Sequence, residues 1–360
     1  MSKTYLIIVI SITLILLSEK FTKPYIKKTS IISSVILFCI AIANRAINSD
    51  SIFYKKLYET LPLKISTSLI SSGFWKQHFN VDDPIFNDQG YIIFNQLMKL
   101  ISSDYRFLFF SICFITLLSF IFFFLRLIQD FRLFNTFLIF SLCYIDVILL
   151  VSNILRQSLA TSIAIIGYTF TKVNPTLGIL IASISGYFHW TIVSVYLMIY
   201  LSEHVNIEKK YLLYIIIISI IVSFFPDLSP YIKLDSISNS YIFNANSSNS
   251  RPGINIRIIY ALIPIIIYFF FYDKKVSTAF KLLMNLKFVS LTASLIFIWN
   301  IEVFSRLRFL GLVSDVYAYS LIIHYLMIDR LKLKLIYKII IFSAICLASL
   351  STPTIYKILF

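Results

Sequence analysis

The sequence predicts an all-α polytopic integral membrane protein with about 11–12 transmembrane helices joined by turns and external loops. Three observations carry that prediction. Hydrophobic residues fill 59% of the 360 positions and charged residues only 14%, where a soluble domain carries about a quarter charged. Apolar runs such as Phe107–Leu125, Ile254–Phe271 and Leu331–Leu350 approach the roughly 20 residues that cross a bilayer as helix. Many of the Lys and Arg behind the net charge of +15 cluster in short turns between such runs. That clustering marks orientation in a membrane, and it accounts for the charge without nucleic acid.

The runs read as helices because in lipid each backbone group must be satisfied within its own segment, and the alternating polarity of a barrel is absent. In chain order the expected spans are Tyr5–Leu17, Ser30–Ala46, Phe107–Leu125, Leu133–Val151, Ile154–Thr171, Thr176–Leu201, Tyr211–Phe225, Ile254–Tyr272, Leu282–Trp299, Leu307–Met327 and Leu331–Leu350. The first lacks a small-residue cleavage site after its apolar core and reads as an uncleaved span rather than a signal peptide. Residues 1–360 read as one transmembrane domain. Residues 47–106 form a long external loop with short helices, and residues 226–253, rich in Ser and Asn, form an external polar loop. Cys39, Cys113, Cys143 and Cys346 fall in apolar runs without a CxxC and read as core residues, neither disulfides nor metal ligands.

Basic turns fix the orientation. Lys20, Lys23, Lys27 and Lys28 place the first turn in the cytoplasm. Arg126, Arg132 and Lys172 do the same for later turns, as do Lys274, Lys275, Lys281 and Lys287, then Arg330, Lys332, Lys334 and Lys338. An even number of crossings must then separate Lys172 from Lys274. That parity requires Thr176–Leu201 to split near Phe188-His189-Trp190 into a short hairpin, with both termini outside.

With this topology the isolated polar residues gather on the external side. Arg45 ends the second span, and Asp50 and Tyr54 follow it. Asp88-Gln89-Gly90-Tyr91 precedes the third span, Arg156-Gln157 opens the fifth, His189 sits at the hairpin tip, and Arg306 and Arg308 open a late span. Asn153 is the expected N-cap that sets Arg156 in a first helical turn, where free N–H groups attract anions. Ser305-Arg306 offers a similar helix end, so two arginines make a clamp for a diphosphate. The alternative is that they snorkel to lipid headgroups. His189 suits a general base or, alternatively, an interfacial histidine beside Trp190. Asp146 and Asp315 lie within spans and require partners. The four histidines lack metal-ligand spacing, and no P-loop supports an ATPase. No cofactor is expected.

These residues together resemble the EpsG-like branch of the Wzy-type O-antigen and exopolysaccharide polymerases. The likeness rests on Arg45…Asp50…Tyr54, the acidic-x-Gly-Tyr step at Asp88–Tyr91, Arg-Gln-Ser-Leu-Ala at Arg156–Ala160 with Lys172 and Phe188-His189 beyond it, and Phe304-Ser305-Arg306. Asp88-Gln89-Gly90 stands where the family often has Glu-Pro-Gly, and an aromatic pair after the late arginine is met only by Phe309. The resemblance implies a polymerase of the bacterial cytoplasmic membrane. It would transfer a growing glycan from undecaprenyl diphosphate onto a new lipid-linked oligosaccharide unit, with a chain-length regulator as a further partner. It implies Arg156, Arg306 and Arg45 at the diphosphate, His189 or Asp50 as base, and Gln157, Tyr54, Tyr91 and Arg308 lining the substrate. The competing readings are a flippase of the same lipid-linked unit and a membrane acyltransferase that modifies polysaccharide.

Overall fold

A chain that must satisfy its backbone polar groups without water has helices as its local solution, and every regular element among the described residues is helical. The computed structural model describes residues 3–45, 50–63, 72–79, 88–189, 200–224, 251–274, 277–296, 304, 307–331 and 333–350. The helices cluster into two compact units, Met1–Tyr196 with Leu326–Phe360, and Leu197–Tyr325. Both fall inside the stretch that composition reads as one domain.

The first unit opens with α1 (Lys3–Ser18) and α2 (Pro24–Ala43). Pro24 occupies the first turn of α2, where its missing N–H leaves no bond unmade. The Ser30 hydroxyl ties the pair together by donating to the Leu14 carbonyl at 2.9 Å. Residues 47–106 contain α3 (Asp50–Thr60), α4 (Ser72–Phe79) and α5 (Gln89–Ile101). The chain then enters α6 (Tyr105–Phe123), capped by Asp104, whose carboxylate accepts from the Arg106 N–H. A wider π-type turn at Phe124–Ile128 ends this rod at Gln129, in the left-handed region with φ 54°.

Leu133–Val151, expected as one span, is two helices, α7 (Phe134–Cys143) and α8 (Ile145–Asn153), bent by 57°. The break falls at Tyr144, whose backbone is extended. Asp146 lies in the first turn of α8, where the helix dipole favours a carboxylate. Two further helices follow, α9 (Leu155–Thr171) and α10 (Pro175–Phe188). Asn174 caps α10 by accepting from the Leu177 N–H at 3.1 Å, and Pro175 starts it. The two pack antiparallel with almost no room between backbones. A Cβ on Gly167 would lie 2.5 Å from the Ala182 nitrogen, and one on Gly178 would collide with Thr171. Such small-residue seams let helices associate in lipid, where no hydrophobic force drives them together. Hydroxyls add to the packing: Thr116 of α6 bonds Ser158 at 2.8 Å and accepts from Ser162 at 3.0 Å, both on α9. Ahead of the chain's end, α15 (Leu335–Leu350) returns to α1 and α7, with Lys338 pairing Glu19 at 3.2 Å.

The second unit contains α11 (Lys209–Phe224), α12 (Arg251–Phe271), α13 (Thr278–Ile296) and α14 (Leu312–His324). Its centre is polar. Tyr268 of α12 donates to the Ser314 carbonyl at 2.9 Å, and the Ser314 hydroxyl donates to the Leu283 carbonyl at 2.6 Å. Beside them Lys287 pairs with Asp315 at 2.7 Å, with side-chain exposures of 0% and 2%. Lys287, taken from sequence as a cytoplasmic marker, is therefore a buried residue of α13. Gly311 makes this fit, because a Cβ there would strike the Ser290 hydroxyl and approach the Lys287 side chain at 3.5 Å.

Among the described residues, Pro24–Ala43, Tyr105–Ile128 and Thr278–Ile296 are long and apolar enough to span a membrane, and the bent α7–α8 pair passes the same test as a broken span or a re-entrant loop. Leu6–Ser18, Pro175–Phe188, Ile258–Phe271 and Leu312–Met327 are shorter apolar helices. The expected break in Thr176–Leu201 coincides with the end of α10 at Phe188; residues 190–199 lie outside the described ones, as do residues 226–250 of the polar loop. Cys39, Cys113 and Cys143 are buried.

Two stability predictions follow from the packing. Gly167→Leu forces α9 and α10 apart and is expected to cost about 3 kcal/mol, read as a lowered Tm in detergent. Lys287→Met leaves Asp315 buried without its cation and costs about 3–5 kcal/mol, whereas Lys287→Met with Asp315→Leu recovers most of that loss. Equal Tm values for the single and double variants would show that the pair is not a coupled unit.

Candidate active site

The site is built from three helix ends in the first unit. Asn153, expected to cap α9, is instead the last residue of α8, and Ile154 stands at the N-cap without a side-chain bond. Arg156 is nevertheless the second residue of α9, in the turn whose N–H groups have no intrahelical acceptor and carry a partial positive charge.

Asp88 precedes α5 at the N-cap position, yet its side chain makes no capping bond. The carboxylate reaches across to Arg156 and accepts from its Nη1. Two residues on, Gly90 lets this helix end close against α10. A Cβ there would lie 3.0 Å from the Tyr187 backbone carbonyl and 3.1 Å from the Phe188 ring. A larger residue would fit only if the Tyr187 backbone or the Phe188 ring gave by a few tenths of an ångström.

His189 terminates α10 with extended backbone, φ −167° and ψ 109°, while its N–H still donates to the Ser185 carbonyl at 3.1 Å. Its Nδ1 lies 3.6 Å from Asp88 Oδ2. That is longer than a hydrogen bond but close enough for the carboxylate to steady a charge on the ring. Asp88 therefore stands between a cation and an imidazole, with side-chain exposures of 9% for Asp88, 10% for His189 and 23% for Arg156. A carboxylate this buried persists only when paired, and the residual opening lies on the arginine.

Behind these groups is an aromatic wall. Tyr54 hydrogen-bonds Arg156, and its ring meets that of Tyr91 edge-on at 5.6 Å. Burial first, and Tyr54 second, push the Tyr91 phenol well above its ordinary range, so it stays neutral. Gln157, next to Arg156, is 2% exposed, and its Oε1 has no hydrogen-bond partner among the described residues.

The structure thus brings together four of the residues singled out from sequence (Arg156, His189, Tyr54 and Tyr91) and sets Gln157 beside them. Arg45, expected at the diphosphate, is turned inward. It is 4% exposed, donates to the carbonyls of Ile42 (2.8 Å) and Ser152, and lies over the Phe109 ring at 4.7 Å. Its two Nη groups face backbone carbonyls, so it braces α2 against α6 and α8. For Asp50 only the backbone is described, at the start of α3, and Arg306 lies outside the described residues. Arg308 belongs to the second unit, 8% exposed and beside the Phe309 ring. Asp88 was noted from sequence only as part of a motif. Its signal was the glycine two residues later, which marks a close approach of backbone. Among the described residues no cluster of His, Cys, Asp and Glu fits a metal ion.

Set against known families, residues 27–358 match the model described as the EpsG family. The match takes in every residue of the site. No curated protein and no solved structure matches the chain.

The Asp88–Arg156 pair makes a testable energetic claim. Asp88→Asn and Arg156→Gln are each expected to lower stability by about 2 kcal/mol, and the double variant by clearly less than the sum, a coupling of about 1–3 kcal/mol. Additive losses in a thermal double-mutant cycle would show that the pair is not coupled.

Proposed function

Because the chain belongs to the EpsG family, we propose that it is a glycan polymerase of the bacterial cytoplasmic membrane. In this reading it transfers a growing glycan from undecaprenyl diphosphate onto the sugar end of a new lipid-linked oligosaccharide unit. The observation that carries the reading is the convergence of Asp88, Arg156 and His189 from three helix ends.

The chemistry demands two things of the protein. The bond between the anomeric carbon and the diphosphate oxygen breaks, and the leaving diphosphate keeps the electron pair. A bond forms from the anomeric carbon to the acceptor hydroxyl, and that hydroxyl gives up its proton. Arg156, reinforced by the N-terminus of α9, meets the first demand, since fixed positive charge stabilises a developing anion most where water is sparse. His189 meets the second. With Nδ1 turned toward Asp88, Nε2 is the nitrogen left to take the acceptor proton, and the carboxylate steadies the imidazolium that results.

Asp88 also links the two tasks. In the structure it holds Arg156; an arriving diphosphate competes for the same guanidinium, with which phosphate pairs bidentately. A carboxylate displaced from Arg156 still has the His189 ring 3.6 Å away, ready to steady the charge that ring gains with the acceptor proton. Substrate binding and activation of the base are thereby coupled.

The test is gel analysis of surface glycan from cells carrying each variant at normal protein level. Arg156→Ala is expected to reduce polymerisation about 10²–10³-fold and His189→Ala about 10²–10⁴-fold. Both should leave single repeat units on the surface. Long glycan chains retained by Arg156→Ala would remove the diphosphate role, and by His189→Ala the base. A deletion that leaves no units displayed would point to a flippase, and one that leaves chain length unchanged to an acyltransferase.

A further inference from the structure

Helix α5 covers polar side chains as well as apolar ones and leaves an aliphatic face bare. Its protein-facing side holds Tyr91, Ile92, Asn95 and Gln96, all 0–2% exposed, whereas Leu97, Leu100 and Ile101 are 41%, 55% and 67% exposed. At 100° per residue these three, with half-buried Ile93, form one continuous aliphatic face. A helix in water turns such a face inward and its amides outward. Here the amides are covered, and the Asn95 Nδ2 donates within α5 to the Tyr91 carbonyl at 2.7 Å. The one charged side chain, Lys99, does not reach out but donates to the carbonyls of Glu59 and Leu61 at the end of α3, at 2.8 and 2.5 Å.

We propose that α5 is an interfacial helix whose aliphatic face lies in the acyl chains of the external leaflet. Its position specifies the occupant. Only residues 102–104 separate it from α6, the start of the apolar rod Tyr105–Ile128 that is long enough to span. The exposed Asp104 and Arg106 and the Tyr105 ring mark the water boundary of that rod. The other end of α5, at Gly90, abuts the terminus of α10. A helix that joins the ends of two apolar helices runs along the membrane surface rather than through it, and an aliphatic outer face there meets lipid. Asp88, at the inner end of α5, is then held at headgroup depth, the level at which the diphosphate of any lipid-linked molecule lies. The placement of α5 stands on its own, without the polymerase reading.

The full chain in lipid nanodiscs provides the test. Leu97→Cys, Leu100→Cys and Ile101→Cys are each spin-labelled, with the unsubstituted chain labelled in parallel as background and Glu59→Cys on α3 as the water-facing reference. Collision with oxygen is expected to rise severalfold over collision with a water-soluble nickel chelate at the three α5 sites, and the ratio to reverse at Glu59. Nickel collision at α5 equal to that at Glu59 overturns the proposal in favour of an aqueous face. Exclusion of both reagents overturns it in favour of cover by protein. Leu100→Trp quenched by bromine-labelled acyl chains repeats the measurement without cysteine, and absence of that quenching counts against it equally.

Discussion

The antiparallel seam between α9 and α10 is the constraint on which the rest of the first unit depends. Gly167 against Ala182 and Gly178 against Thr171 bring two helix backbones to a distance at which no larger side chain fits. Lipid tails are as apolar as leucine, so this association rests on dispersion contacts and weak backbone approach rather than on exclusion of water. The tight turn at Asn174-Pro175 fixes the register. Arg156, at the beginning of α9, and His189, at the end of α10, then stand at the same end of the hairpin. Thirty-two residues of intervening chain become one short polar edge.

Onto that edge α5 delivers a carboxylate. Asp88 forgoes the ordinary use of an acidic residue before a helix, which is to cap it, and bonds a guanidinium from another element. Gly90 suits this geometry, because the backbone of α5 and the backbone of α10 lie close together there. Arg45 shows the converse. A second cation singled out from the sequence is withdrawn from solvent, faces backbone carbonyls and an aromatic ring, and stabilises the scaffold.

The second unit solves a different problem with similar means. Lys287 and Asp315 neutralise one another inside a helical bundle, where either alone would be expensive, and the Tyr268–Ser314–Leu283 chain of hydrogen bonds occupies the neighbouring polar atoms. A lysine counted along the chain looks like part of a basic turn. The rule that basic residues face the cytoplasm applies to those in turns, and only the packing of α13 shows that Lys287 is not in one.

The sequence by itself determined the helical class, the membrane setting and the resemblance that the family match bears out. Long apolar runs with charge confined to turns admit few other structures in lipid, and Arg-Gln-x-x-Ala with a distant Phe-His is a recognisable spacing. The split expected near His189 meets the end of α10 at Phe188, and residues 190–199 lie outside the described ones. What only the tertiary structure decided was pairing. Asp88 is 68 residues from Arg156 and 101 from His189 along the chain, and no local periodicity connects them. The bend at Tyr144, the inward turn of Arg45 and the bare aliphatic face of α5 were likewise invisible, because each depends on which neighbour covers a residue. Composition fixes how much polar surface a membrane chain must satisfy; three-dimensional packing selects the partner that satisfies it.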